Sequence, residues 1–190
     1  MTRVLLVDDQ ALVRTGFRVI LDYGHNEAAV GSLVDVVERL QPIGKRIVCV
    51  TCPGDRRDED VRAIARTVAG HFDVYICHSD DNPRGRTLEE VPEMIQAELI
   101  AAGVAPEAIQ IRPKEEESVQ AALDMARQGD LVMIFCEQIT RTWKQIIYFK
   151  PDFAPAPVPP EARMAAAGFN VPAGWKVVSD DRGVRIVPET

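Results

Sequence analysis

The chain is expected to fold as an α/β protein: a three-layer α/β/α sandwich around a mostly parallel, Rossmann-like sheet, with a C-terminal β-hairpin tail. Three observations predict this. Short, apolar, β-branched runs recur along the sequence. Amphipathic windows of helical period separate them. The segment that follows most of the runs is polar and rich in Asp, Asn, Arg, His and Thr. Fully apolar strands alternating with helices imply a parallel sheet covered on both faces, and right-handed crossovers put helices on both sides.

The elements follow in order. Phe17 to Leu21 is a short apolar run, expected to be a strand because the sheet needs it to place the polar residues after it. Ala28 to Leu40 carries Val30, Leu33, Val34, Val37 and Leu40 at helical spacing. Arg46 to Thr51 is a β-branched strand, and Asp58 to Phe72 is amphipathic through Val61, Ile64, Ala65 and Val68. Asp73 to Cys77 is the next strand. Leu88 to Ala102 is a helix, stopped at Gly103, a favoured residue just past a helix end. Ile109 to Ile111 is a short strand, Glu115 to Arg127 a helix ended by Gly129, Leu131 to Cys136 a fully apolar strand, and Arg141 to Phe149 a further helix. Beyond Pro151, PDFAPAPVPP reads as a stiff, extended linker. Residues 175–179 and 184–187, joined across Asp180 to Gly183, read as a hairpin. The expected organisation is therefore 1–16, 17–150 and 151–190.

The 190 residues, 46% hydrophobic and 27% charged, suit one ordinary globular domain. A net charge of −7 argues against a nucleic-acid surface, yet a few aimed amides and arginines can still hold a phosphate. No apolar run approaches the roughly 20 residues of a membrane span, and no signal-peptide pattern opens the chain, so a cytoplasmic location is expected. Cys49, Cys52, Cys77 and Cys136 all lie in or just past strands and read as buried packing residues. The CxxC spacing of Cys49 and Cys52 has a redox pair or half a zinc site as its alternative.

In parallel sheets, ligands bind beyond the carboxyl ends of the strands. The loops there are DYGHN (22–26), CPGDRRDED (52–60), HSDDNPRGR (78–86) and EQITRTWK (137–144). Their shared polarity is the strongest sign of a site. Arg84 is suited to a bidentate pair with a carboxylate, with Asp80 and Asp81 suited to a guanidinium or ammonium. Bland alternatives stand beside these: His25 as a loop histidine bonded to backbone, and Asp-Asn-Pro at 81–83 as an ordinary turn. Trp143 reads as core. Arg141 and Lys144, on a first helical turn at the sheet mouth, face either a phosphate or solvent. The run Lys114 to Glu117 reads as a helix start without function.

Residues 1 to 21 resemble the start of a response-regulator receiver domain, a strand ending in Asp8-Asp9 followed by QALVRTGFRVIL. That resemblance implies a cation held by Asp8 and Asp9, but the lysine expected after the last strand is replaced by Glu137-Gln138. The plainer reading is a strand-to-helix turn with Asp9 as cap, and no metal site is assigned. From Phe17 to Lys150 the chain resembles the C-terminal domain of the Mur ligase superfamily, the cyanophycin synthetases in particular. DYGHN, PGDRRDED, DNPRGR and TRTWKQIIYFKP carry the resemblance in that order.

That second resemblance implies a part of an ATP-dependent amide ligase, in which a carboxylate becomes an acyl phosphate that an incoming amine attacks. Arginine is the amino acid it suggests. By position in the motifs, His25 and Asn26 would lie near the reacting groups, and Asp22, Arg141 and Lys144 near the nucleotide. Asp55, Arg56, Asp81, Asn82 and Arg84 would hold the amino acid. Glu27 departs from the family, which carries proline there. No GxxxxGK[ST] loop is present, so ATP with Mg²⁺ is expected to be held mainly by a P-loop ATPase domain, in cis or in trans. The chain is expected to be inactive alone. Two other classes compete: a signalling or interaction module with a degenerate receiver-like start, and a structural remnant without a ligand.

Overall fold

The computed structural model describes residues 5–6, 16–152, 175–180 and 183–188. Asp8 and Asp9 lie outside the described residues. The chain divides into two compact units, Met1–Ala154 and Pro155–Thr190.

The first unit contains a sheet of six strands: β1 (Leu5–Leu6), β2 (Arg18–Asp22), β3 (Arg46–Val50), β4 (Val74–Cys77), β5 (Ile109–Ile111) and β6 (Leu131–Phe135). Their spatial order is β1-β2-β6-β3-β4-β5. All neighbours are parallel except the edge pair, where Leu5 lies opposite Leu21 and Leu6 opposite Ile20 in antiparallel register. Residues 18–22, whose letters also resemble a receiver helix, are thus a strand. The physical reason is their pairing: the whole of β2 lies in parallel register with β6, Arg18 opposite Leu131 and Asp22 opposite Phe135.

Five helices connect these strands: α1 (Glu27–Leu40), α2 (Asp58–Val68), α3 (Glu90–Ala101), α4 (Glu115–Met125) and α5 (Ile139–Tyr148). The period-two alternation of the strands sorts them into two layers. Ile20, Val48, Val50, Tyr75, Cys77, Met133 and Phe135 share one core with the buried faces of α1, α2 and α3. Val19, Leu21, Ile47, Cys49, Ile76, Val132 and Ile134 share the other with α4 and α5. Every residue of β6 is buried, as its central position between two helical layers requires. Helix α2 ends at Val68, earlier than its apolar pattern suggests, and Phe72 is buried from the following loop. Tyr75 holds that loop: its hydroxyl accepts the N–H groups of Gly70 and Phe72 and donates to Val68 O.

In the second unit β7 (Trp175–Asp180) and β8 (Gly183–Pro188) pair antiparallel as a hairpin. Among the described residues no helix is long and apolar enough to cross a membrane.

Candidate functional site

β6 is the last strand of the sheet in sequence yet lies between β2 and β3. The crossover from β5 must therefore double back, and such a reversal leaves a crevice beyond the carboxyl ends of the strands. The loops after β2, β3, β4 and β6 meet there around a small recess, lined among others by Gly24, His25, Thr51, Asp80 and Glu137.

The β2 loop is set by close packing. Cys136 N donates to Asp22 O at 3.1 Å, continuing the β2–β6 ladder one residue beyond the strand. A Cβ on Gly24 would lie 3.0 Å from the Phe135 ring and 3.2 Å from Asp22 Oδ1, so only glycine fits without displacement. Asp22 is buried, and its Oδ2 has no hydrogen-bond partner among the described residues. Burial pushes its pKa up, against a hydrogen bond from the Gly24 backbone and the nearby His25. An orphan buried acceptor of this kind fits a hydroxyl donor such as a ribose hydroxyl. His25 Nδ1 lies 3.1 Å from Tyr23 O, which puts the ring proton on Nδ1 and leaves Nε2 as the acceptor. The ring also packs on Tyr23 with centroids 5.1 Å apart. Asn26 caps α1, its Oδ1 accepting Ala29 N at 3.0 Å. That engages the acceptor of its side-chain amide.

The loops after β3 and β4 are stitched to each other. A Cβ on Gly54 would fall 2.0 Å from Pro83 O, so the two backbones touch and leave room for no side chain. The Arg86 guanidinium donates to Gly54 O at 2.8 Å, Arg56 O at 2.9 Å and the Asp58 carboxylate at 2.8 Å. Arg84 adopts a left-handed conformation, φ 50°, in a turn closed by its N–H to Asn82 Oδ1 at 3.0 Å. Its guanidinium donates to Glu137 at 2.9 Å and Asp55 at 3.3 Å, and lies 3.8 Å from Asp80. The Glu137 hydrogen bond, above all, raises its pKa and keeps it cationic. Three carboxylates thus face one guanidinium.

A second network braces the far side. Arg141, at the start of α5, makes a bidentate pair with Asp81 and a 2.9 Å contact with Glu115. Glu115 is fully buried and also accepts Glu137 N at 2.6 Å and Thr142 Oγ1 at 3.0 Å. It supplies the side-chain acceptor that the N-terminus of α5 lacks, since Gln138 makes no capping bond of its own. His78 is buried with Nδ1 3.0 Å from Ser79 O and Nε2 3.1 Å from Phe135 O. Desolvation lowers its pKa, so at neutral pH the ring is uncharged and donates to one of those two carbonyls.

Asp80 is the most perturbed carboxylate of the recess. Burial first, then the neighbouring Glu137 charge, pushes its pKa up to about 6, against Arg84 and the Thr51 hydroxyl, which donates to it at 3.3 Å. Groups of this kind, desolvated and beside a specific partner charge, concentrate at functional sites.

The structure brings Asp22, His25, Asp55 and Arg84 to one sheet mouth, with Asp81 and Arg141 paired beside it. Arg56 contributes its backbone oxygen, Asn82 its turn, and Lys144 is exposed on α5. Trp143 packs partly buried against the α4–α5 core. Sequence reasoning missed Glu115, Glu137, Thr51 and Arg86. Glu115 sits in a run of three glutamates that reads as a solvated helix start; nothing local marks the one turned inward. Among the described residues no group of three or more His, Cys, Asp or Glu is placed to hold a metal ion.

The profile of the family described as "Mur ligase, glutamate ligase domain" matches residues 3–137. The cyanophycin synthetase of Nostoc sp. (strain PCC 7120 / SAG 25.82 / UTEX 2576) is 36% identical over 141 residues, covering 68% of this chain. The chain spans 14% of that relative's length. The UDP-N-acetylmuramoyl-L-alanyl-D-glutamate–2,6-diaminopimelate ligase of Xylella fastidiosa (strain Temecula1 / ATCC 700964) is 28% identical over 116 residues, covering 61% of this chain and 22% of its own. Among solved structures, E. coli FolC in complex with ADP shares the fold with a TM-score of 0.56 at 20% identity, over 76% of this chain and 31% of that one.

Proposed function

Because this chain belongs to the Mur ligase family, through its glutamate ligase domain, we propose that it is the amino-acid-binding and nucleotide-closing part of an ATP-dependent amide ligase of the cyanophycin synthetase type. The observation that carries this reading is the meeting of four polar loops at the switch point beside β6, with Arg84 set among Asp55, Asp80 and Glu137. Arg84 receives the carboxylate of the incoming amino acid, for which arginine is the proposed identity, and Asn82 shapes the turn that presents it. Arg56 and Asp55 form the rim. Asp22, with its orphan oxygen, accepts a ribose hydroxyl, and Arg141 and Lys144 flank the phosphates. His25 presents Nε2 toward the reacting groups, with Asn26 holding the helix start behind it.

ATP supplies the phosphoryl group that activates the carboxylate. The residues of this chain orient the partners and exclude water, while a P-loop ATPase domain in cis or in trans holds the phosphates and Mg²⁺. Calorimetry tests the reading. Arginine and ADP should each give heat when titrated into the chain with that ATPase domain supplied, and Arg84→Ala should lose the arginine signal. Silence with both ligands would overturn it.

A further inference from the structure

Amide formation by an amino acid needs the free amine, but at neutral pH the incoming group is an ammonium and has no lone pair. A site for this chemistry must hold a cation and take one proton from it. The recess has the charge for the first task. Asp55, Asp80 and Glu137 surround the single Arg84 guanidinium, leaving an excess of negative charge in a partly desolvated space. Glu137 Oε2 has no hydrogen-bond partner among the described residues, a second orphan acceptor at the same place.

The three carboxylates are not equivalent. Asp55 is more than half exposed and lies on the rim. Glu137 has one oxygen tied to Arg84 at 2.9 Å. Asp80 is 3% exposed and lines the recess, and its closest tie is a 3.3 Å bond from the Thr51 hydroxyl, with Arg84 beyond at 3.8 Å. Of the three carboxylates around Arg84 it is therefore the most buried and the least directly neutralised. His25 lines the same recess but is partly exposed, and its ring is turned with Nδ1 to Tyr23 O.

We propose that Asp80 binds the ammonium of the incoming amino acid and receives its proton, an assignment that rests on the ligase reading above. One N–H bond breaks, one O–H bond forms on Asp80, and the nitrogen keeps the electron pair. That pair forms the C–N bond as the C–O bond to phosphate breaks and phosphate departs; solvent takes the remaining excess proton. The proton affinity of Asp80 suits the task, being close to neutral pH through burial and Glu137. The charged and titratable groups around it are Arg84, Glu137, Glu115, Asp55, His25 and Tyr23, with the buried thiols of Cys52 and Cys136.

The test has a binding arm and a turnover arm. Arginine should bind the chain about tenfold or more tightly than 5-guanidinovalerate, which lacks the ammonium, and Asp80→Asn should erase that difference. If wild type binds neither compound, the ligase reading falls and takes this assignment with it. If it binds both equally, only the Asp80 assignment falls. In ligation with the ATPase domain, ATP and a poly-aspartate acceptor, Asp80→Asn should slow arginine transfer by about 100-fold or more. Trapping of the acyl phosphate by hydroxylamine, a neutral nucleophile, should be unchanged. Unimpaired arginine transfer in that variant would overturn the proposal. Should Asp80→Asn misfold, Glu137→Gln reads the same chemistry: removing the like charge should move the acidic limb of the rate profile to lower pH, and an unmoved limb would count against Asp80.

Discussion

Glu115, at the start of α4, accepts the backbone N–H of Glu137 at 2.6 Å. A fully buried carboxylate on one crossover helix thereby fixes the residue that lines the recess at the end of β6. The same carboxylate holds Arg141 and Thr142, so one side chain joins α4, the β6 loop and α5. Glu115→Ala should cost about 3 kcal/mol or more, because it leaves the Glu137 and Gln138 N–H groups and the buried Thr142 hydroxyl without their acceptor and strips one partner from the part-buried Arg141 guanidinium. Glu115→Gln, which keeps part of that capacity, should cost less. Denaturant unfolding of the two variants checks the order.

Asp80 should limit stability at neutral pH. Its pKa in the fold lies near 6, above the ordinary 3.8, so the folded state holds the proton more tightly than the unfolded chain. The associated stability is present below about pH 4 and is lost as pH rises through about 6. Asp80→Asn cannot ionise and should gain over wild type by on the order of 2 kcal/mol at pH 8. The gain should vanish at pH 4. Thermal melts of both proteins across that range measure it, and a stabilising change that removes ligation is the signature of a functional group.

Gly54→Ala should be damaging although Gly54 lies in an irregular loop, because the residue is buried. The added methyl would meet Pro83 O at 2.0 Å, and a backbone oxygen cannot swing aside as a side chain does. The variant should lose about 1–3 kcal/mol and separate the two loops that Arg86 joins. Amide exchange at residues 53–58 and 81–86 should quicken while β6 stays protected.

The four cysteines should be inert in the native protein. All are buried with free thiols, and burial pushes each pKa up to about 12. Because the thiolate is the reactive form, a disulfide reagent at pH 8 should label none of them until denaturant is added, and then all four. Prompt reaction of Cys49 or Cys52 would revive the redox reading of their spacing.

Much of this protein was legible in its sequence for a local reason. Apolar runs of strand length and windows of helical period are properties of neighbouring residues, so the elements, their alternation and the two-sided core were determined by the letters alone. The polar character of the loops located the sheet mouth, and motif resemblance pointed to Asp22, His25 and Arg84. What the tertiary structure decided depends on residues far apart in sequence. The place of β6 between β2 and β3 rests on strand pairing. The inward turn of Glu115 rests on the N–H groups brought to it from residues 137 and 138. The engagement of Arg84 and Arg141 by carboxylates of this same chain, and the raised proton affinity of Asp80, follow from charge and desolvation that exist only once four loops share one recess. Periodicity is local and can be read along a chain. Electrostatic environment is set by what folding brings close and by the water it removes.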